Sequence, residues 1–474
     1  MIPASQQLDG PTEVVFRDLV FKLESHRRRL AHYDMYLEGE QSITFLAPAL
    51  REEFGERITA LVLNFSRLIT GAYEDRLDVE GFRYARKSSA DDALWEVWQA
   101  NDLDEQSQQG HYDSIGLGRS YVLVGSGDTE NDAPVVTVES PLQVFAHRDP
   151  RTRRVDRAVK RWDENADMPG QTAEQHAMLY LPNVSRHLVS TDDGWRIVWE
   201  DQHDLGVVPV VPLVNRPRLL RPDGLSEFHD AIGPADAMNK LATDMMVSAE
   251  YHSMPRRWAA GVKESDFVDE HGSPLSPWSR DAGTLWAVES TEAKFGQFNE
   301  SDLANFHNSI KFLVQIVVQL AGLPPHYASF SSGDSNPTSA DAIRSAETQL
   351  VKRSERKQTY LGGAWESVMR LVQRIQTGEW DPAARSLETI WRDASTPTMA
   401  QKADAILKLA TPVQNGLAVL PIEQAREDLG YTPEQRRRMA ELDKQAQQDP
   451  YLATLSAKDG AANASTAPAP ASGD

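Results

Sequence analysis

Residues 301–345 read SDLANFHNSIKFLVQIVVQLAGLPPHYASFSSGDSNPTSADAIRS. The stretch is an apolar helix that breaks at Gly322-Leu323-Pro324-Pro325, a loop rich in Ser, Gly and Asn, and the start of a long polar helix. In the first part Leu303, Phe306, Ile310, Leu313, Val317 and Leu320 recur at alternating spacings of three and four, which places them on one stripe. Gly322, Pro324 and Pro325 end this helix, because proline removes a backbone donor and forces the residue before it out of the helical region. Thr338 reopens the chain as an N-cap with Asp341 three residues on, and the spacing predicts a helix from there to Thr377. At about 1.5 Å per residue that helix is roughly 50 to 60 Å long. This order of parts describes a lever and not a catalytic pocket.

Composition narrows the class. The 474 residues, 40% of them apolar, suffice for folded domains with real cores, about two to four by length. The longest apolar run, Phe312 to Ala321 with glutamines inside it, falls far short of the roughly 20 residues a bilayer span requires, so no membrane partner is expected. The N-terminus is polar without a basic-then-apolar leader, and neither secretion nor anchoring is expected. Cysteine is absent, which removes disulfides and thiolate chemistry and fits a reducing cytoplasm. With 49 basic against 70 acidic residues the formal charge is -21, which argues against tight binding to phosphate backbones. DNA, if it is a partner, must pass rather than stick. The basic runs at Arg27 to Arg29, Arg151 to Arg161 and Arg436 to Arg438 read as solvated faces or subunit contacts.

Outward from the opening stretch, the expected class is α+β, mainly α. Residues 12–32 and Glu53 to Ile69 carry apolar residues at helical spacing. After Trp95 and Trp98 the period becomes two, with short runs at Ser120–Val124, Val135–Val138, Leu142–Ala146, Val155–Trp162, Met178–Leu181, Ser185–Val189 and Trp195–Trp199 that read as an antiparallel meander. Val207 to Val214 contains Pro209 and Pro212, which confine it to an edge or an irregular strand. Phe228, Ile232, Ala235, Met238, Leu241 and Met245 form another helical stripe, with Pro234 at a kink or in the first turn. A Gly/Pro/Trp-rich insert, 255–300, separates this helix from the apolar one. Leu387 to Trp391 is strand-like, and a helical group follows from near Thr398, its last helix opened by Thr432, Pro433 and Gln435. Residues 458–474, rich in Ala, Ser, Pro and Gly, are expected to be a disordered tail.

Four segments in order resemble portal proteins of long-tailed double-stranded DNA bacteriophages. Leu205-Gly206-Val207-Val208-Pro209-Val210-Val211-Pro212-Leu213-Val214-Asn215-Arg216-Pro217 is similar to the wing strand of that family. Gly224-Leu225-Ser226-Glu227, followed by Asp236 to Met246, resembles the first stem helix. Ala321-Gly322-Leu323-Pro324-Pro325 resembles the end of the second stem helix, and Asn336 to Arg344 the start of the long helix that returns to the wing. Tyr36-Leu37-Glu38-Gly39-Glu40 is similar too, so the resemblance covers most of residues 30–450. It implies a ring of about twelve copies at one vertex of the icosahedral head. It also implies the segments: 1–227 the N-terminal part of the wing, 228–254 the first stem helix, 255–300 a small α/β clip, and 301–321 the second stem helix. Residues 322–337 would be the tunnel loop, 338–397 the long helix and return to the wing, and 398–457 a helical crown. The implied partners are copies of itself, double-stranded DNA passing without sequence specificity, the large terminase, the head-tail adaptor, and the major capsid and scaffolding proteins. The implied location is the virion, with assembly in the bacterial host cytoplasm.

Candidate residues follow. Met238, Leu241, Met245, Leu303, Phe306, Ile310, Leu313 and Val317 are the candidates for stem packing, with Asn305, Asn308, Lys311 and Gln315 elsewhere on the second helix. On the residues alone the stripe also reads as the core of a monomeric bundle. Leu323, Pro324, Pro325, His326, Tyr327, Phe330, Asp334 and Asn336 are the candidates for the channel. The loop has Asp334 as its only formal charge and no lysine or arginine, so it avoids the counterion-release affinity that would resist movement of DNA. Trp258, Trp278 and Trp286 in the insert either fill a small core or anchor a partner.

Enzyme readings do poorly. There is no G-x-x-x-x-G-K-[ST] and no H-E-x-x-H, Gly116-Leu117-Gly118 precedes a strand where a dinucleotide loop would follow one, and His26 and His32 are six apart. No catalytic residue, metal ligand or cofactor is therefore nominated. The runner-up function is a helical scaffold that binds other proteins without a DNA channel, which ring formation separates from a portal. A third, an unrecognised nuclease or hydrolase, would be revealed by metal-dependent DNA cleavage.

Overall fold

A strand buried on both faces organises the fold. Arg119 to Val124 are all buried, which a half-solvated meander cannot provide, and this strand is instead the centre of its own small sheet. The computed structural model describes residues 6–41, 61–85, 87, 90–127, 132–165, 173–253, 257–261, 294–297, 303–328, 340–395, 406, 408, 409, 420–431 and 433–448. They divide into two units, one drawn from 1–38, 66–229 and 337–474, the other from 39–65 and 230–336.

In the first unit, helices α1 (Gly10–Glu38), α2 (Phe65–Glu74), α3 (Asp92–Ala100) and α4 (Leu103–Leu117) alternate with strands β1 (Gln6–Gln7), β2 (Val79–Tyr84) and β3 (Arg119–Gly125). Then come β4 (Val135–Glu139), β5 (Val144–Arg148), β6 (Val155–Glu164), β7 (Glu174–Tyr180), β8 (Ser185–Thr191), β9 (Gly194–Asp201) and β10 (Val210–Val214). The expected single meander is two sheets. Strands β5 to β9 do form a meander, closed at one edge by β1, in the order β1-β9-β8-β7-β6-β5. Strands β3 and β4 leave it and join β10 in the order β10-β3-β4, so β10 is an edge strand, as Pro212 within it requires.

The pleat builds two cores on opposite faces of the meander. Phe145 and Val159 join Ala177, Leu179 and Leu188 under Phe16, Leu19 and Leu23 of α1. Their neighbours Val144, Ala146 and Ala158 point the other way, to Tyr121, Leu123, Val208 and Val210. Helix α4, absent from the sequence expectations, lies on the β3 sheet through small residues. Gly110 sits where a Cβ would be 2.6 Å from Val138, Ser120 Oγ donates to the Gly110 carbonyl at 2.6 Å, and a Cβ on Gly116 would be 2.8 Å from Leu37.

The unit is completed by α7 (Ala340–Thr377), β13 (Leu387–Trp391), α8 (Ile422–Asp428) and α9 (Pro433–Gln448). Strand β13 coincides with the expected segment, and it pairs with β2, which the sequence did not reveal. Helix α7 is 38 residues long, matching the expected strut; Thr338 lies outside the described residues. Its second half buries Leu361, Trp365, Val368, Met369 and Val372. Trp365 meets Trp98 edge-on at 4.9 Å, and its Nε1 donates to His111 Nε2 at 2.8 Å. Burial draws His111 down to about 4, which matches an acceptor nitrogen facing an indole N–H.

In the second unit, α5 (Ile232–Ser253) packs against α6 (Ala304–Ala321), and β11 (Arg257–Ala260) pairs with β12 (Lys294–Gln297). Pro234 stands in the first turn of α5, where its missing N–H costs nothing. The helix expected over 53–69 is corrected: residues 53–60 lie outside the described residues, 61–64 are not helical, and α2 starts only at Phe65. There the Leu63 amide donates to Asn239 Oδ1 of α5 at 2.9 Å instead of to a helical carbonyl.

Candidate functional site

Helix α6 stops where its sequence says it must. Gly322 is left-handed at φ 72°, its N–H reaches the carbonyls of Val318 and Gln319, and Leu323 N–H returns to Val318 at 3.0 Å. Leu323 and Pro324 are buried, so these two channel candidates cap the helix end. Pro325 is exposed and opens a short 3-10 turn, Pro325–Ala328, in which His326 and Tyr327 are half-buried with ring centroids 5.0 Å apart. Phe330, Asp334 and Asn336 lie outside the described residues.

The stem candidates fall into two classes. Met238 and Val317 are buried, whereas Leu241, Met245, Leu303, Phe306, Ile310 and Leu313 are half-buried. The buried side of α6 runs along Val314, Val317, Val318 and Ala321. Leu320, expected on that stripe, departs from it, because about 100° per residue swings it away from Val317 and Ala321. It is 45% exposed and lines up with half-buried Ile316 and with Phe312, 62% exposed, at spacings of four. Helix α6 therefore carries a second apolar stripe that the sequence reading did not separate from the first. In the insert, Trp258 stands opposite Gly296 in the β11–β12 register; Trp278 and Trp286 lie outside the described residues.

Just before the chain leaves the first unit at residue 230, the motif segments Asn215-Arg216-Pro217 and Gly224-Leu225-Ser226-Glu227 meet the middle of α7 in a buried polar knot. Lys357 Nζ donates to Glu227 Oε2 at 2.5 Å and to Asn215 Oδ1 at 2.6 Å, and Asn215 Nδ2 donates to the Leu225 carbonyl at 2.9 Å. Arg353 stands 3.8 Å from the other Glu227 oxygen. The backbone is equally constrained. Glu227 N–H donates to Ile115 of α4, Asn215 N–H to Gly118, and Leu225 N–H to Asn215. Gly224, at φ 78°, has the Asn215 and Gly118 carbonyl oxygens each 2.4 Å from where a Cβ would sit, so no other residue fits without moving backbone.

Burial pushes the Glu227 carboxyl up, but the Lys357 ammonium, its hydrogen bond and Arg216 outweigh it and hold the group below its ordinary value. Burial draws Lys357 down, opposed by Glu227. The Tyr73 ring lies 4.6 Å from Lys357 Nζ, and burial with the Glu227 charge pushes its phenol up to about 12, leaving a neutral aromatic face against the cation. Sequence reasoning missed Lys357, although a signal existed: it falls in register with buried Leu350, Ser354, Leu361 and Trp365, where a lysine needs an anion.

A second brace holds the turn between those motif segments. Arg119, 2% exposed, places Nη2 2.6 Å from His26 Nδ1 and Nη1 3.5 Å from Asp223 Oδ2. Burial and the Arg119 cation draw His26 down to about 4, so its ring accepts from the guanidinium. The basic runs are engaged in part within the chain: Arg27 and Arg161 share Glu24, Arg436 pairs with Glu427, and Arg437 with Asp92. Among the described residues no cluster of His, Asp and Glu could hold a metal ion, and no helix is long and apolar enough to cross a membrane.

The region that contains the knot, the helix stop and both stripes lies within a longer match to known proteins. The family model for phage portal protein, SPP1 Gp6-like, matches residues 22–449. The portal protein of Mycobacterium phage L5 is 34% identical over 452 residues, covering 94% of this chain and 90% of the phage L5 protein. That of Mycobacterium phage D29 is 33% identical over 452 residues, covering 94% of this chain and 91% of its own length. A match of this extent, carried by two full-length relatives, makes the chain a member of the SPP1 Gp6-like family of phage portal proteins.

Proposed function

We propose that about twelve copies of this chain form a ring at one capsid vertex, around a channel through which double-stranded DNA is packaged and ejected. The observation that carries the reading is the second apolar stripe of α6: Phe312, Ile316 and Leu320 give a stem helix a face for the next copy, while Val314, Val317 and Val318 pack within the chain. In this layout 1–227 with 379–397 is the wing, 228–254 and 301–321 the stem, 255–300 the clip, 322–337 the tunnel loop, and 398–457 the crown. Residues 338–397 hold the long helix and its return to the wing. The half-buried stem candidates Leu241, Met245, Phe306, Ile310 and Leu313 supply the flanks of the contact between copies.

The channel guides and retains DNA while a separate motor does the work. A tunnel loop whose only formal charge is Asp334, with His326, Tyr327 and Phe330 beside it, acts by steric contact and mild repulsion. The clip, with Trp258, Trp278 and Trp286, docks the large terminase during packaging and the head-tail adaptor afterwards. Major capsid and scaffolding proteins surround the wing, and the protein ends in the virion with no catalysis of its own. Replacing Asp334 with lysine slows packaging in this account; an unchanged rate removes the proposed role of the loop. Deleting residues 264–283 abolishes terminase and adaptor binding while leaving the ring intact; retained binding removes the clip from that role.

A further inference from the structure

The most exposed large apolar side chains in the described structure stand together at one tip. Leu219 and Leu220 are 82% and 96% exposed, at the end of a two-residue turn in Pro217-Arg218-Leu219-Leu220-Arg221-Pro222. The turn is not slack. Arg218 N–H donates to the Arg221 carbonyl at 3.1 Å and Arg221 N–H to the Arg218 carbonyl at 2.9 Å. The polar knot anchors both ends of the segment, and the Arg119–His26 brace grips Asp223 just after the turn. Adjacent leucines held in solvent on so fixed a support gain nothing for the isolated chain. Exposed, preorganised apolar groups of this kind mark a contact surface.

Their surroundings indicate the partner. The turn borders a cleft of about 1170 Å³ whose other wall is the β5–β6 turn, and among the described residues Arg148, Arg153, Arg218 and Arg221 line it against the one carboxylate of Asp149. Among the described residues none of these four arginines has an ion-pair partner. A cationic rim around an apolar tip fits a carboxylate-rimmed apolar recess, and the first unit carries such a recess of about 420 Å³, where Asp34, Glu38, Glu74 and Asp113 surround Leu37 and Tyr112, so a second copy supplies the complementary surface. DNA would meet the same arginines but has no use for two leucines at the foremost point.

We propose that the 217–222 turn inserts Leu219 and Leu220 into an acidic, apolar recess on the next copy of this chain, a head-to-tail contact that helps close the ring. The proposal rests on the ring reading above. Such a contact is heterologous, and a heterologous contact that repeats through a closing rotation generates a ring.

The chain has no cysteine, so Leu220→Cys supplies a unique attachment point for a photoreactive cross-linker on the full-length protein. Cross-linked peptides from a mixture of isotopically light and heavy protein are expected to join the turn of one copy to a carboxylate-bearing segment of another. The double variant Leu219→Ser with Leu220→Ser is expected to lower the fraction assembled as rings at least tenfold, with circular dichroism and melting unchanged, and Leu219→Met with Leu220→Met to restore it. Wild-type-like assembly of the serine variant, without cross-links between copies, overturns this inference and leaves the ring standing. Loss of duplex DNA binding with assembly intact also overturns it, in favour of a DNA contact. If the wild-type chain forms no ring, the ring reading itself fails, and the cross-link alone decides the turn: dimers joined through position 220 support it and their absence overturns it.

Discussion

The second half of α7 and the length of α6 are both apolar helices, yet only one of them finishes its packing inside the chain. Trp365, Val368, Met369 and Val372 are completely buried in a helix that packs on β3, β10 and β13, and Trp365 even finds a hydrogen-bond acceptor in His111. Helix α6 buries one stripe and leaves Phe312 62% and Leu320 45% exposed. Covering a large apolar side chain fully contributes about 1.5–3 kcal/mol, so a helix that leaves such groups in water has that gain still to collect from association. The contrast separates a self-sufficient platform from a limb that neighbouring copies would complete in the proposed ring.

The comparison breaks first at the knot, if the platform is less self-sufficient than it looks. Lys357→Met leaves the Glu227 carboxylate buried with its closest counter-charge gone, and is expected to lower the unfolding free energy by about 3–5 kcal/mol in urea titrations. Adding Glu227→Gln to that variant should recover much of the loss; two additive losses would mean that the pair does not act as a unit.

Acid probes the same platform from the other side. His111 has its folded value drawn from 6.5 to about 4, so the folded state favours the neutral ring. Its contribution is complete above pH 6.5 and is lost as pH falls from there to about 4, where protonation would set two N–H groups against each other at Trp365. At 1.36 kcal/mol per pH unit this amounts to about 3 kcal/mol, read from unfolding curves across that window. The His111→Gln variant, which can still accept from the indole, should lose this share of the slope and keep the share of His26, which is drawn down over the same window; an unaltered slope would place the titration elsewhere.

Gly110→Ala tests the close seating of α4. Its Cβ would come within 2.6 Å of Val138 Cγ1, and an overpacking loss of about 1–3 kcal/mol is expected in thermal melts. The smallest effect on the fold sharpens the comparison most. Phe312→Ser should change the stability of the unassembled chain by less than about 0.5 kcal/mol, as for an ordinary surface position, while ring formation collapses. A large loss of chain stability would instead make Phe312 part of the platform.

How legible each part was follows from the same physics. Helices α6 and α7 announced themselves through an apolar period, a Gly-Leu-Pro-Pro stop and a long uninterrupted polar stretch, and β13 coincided with Leu387–Trp391. Helix α4 did not, because its buried face includes Ser107, Gly110, Ser114 and Gly116, which pack by being small and give no hydrophobic period. Strand β2 needed β13, some 300 residues later, to be recognised as a strand. The knot was half legible: Asn215 and the Gly224–Glu227 segment stood out as motifs, but their partner Lys357 is 130 residues from Glu227, and pairing at that separation leaves no local pattern. The sequence period places Leu320 on the wrong stripe because alternating three and four approximates the helix over two turns and drifts beyond them.

The most direct measurement is the sedimentation mass and negative-stain shape of the purified full-length protein at moderate salt, with Phe312→Ser run beside it. The account predicts a closed ring of about twelve copies with a central hole for the wild type, and separate folded chains for the variant. A wild-type protein that stays a compact monomer or dimer at every concentration, with or without scaffolding and capsid proteins, would contradict it.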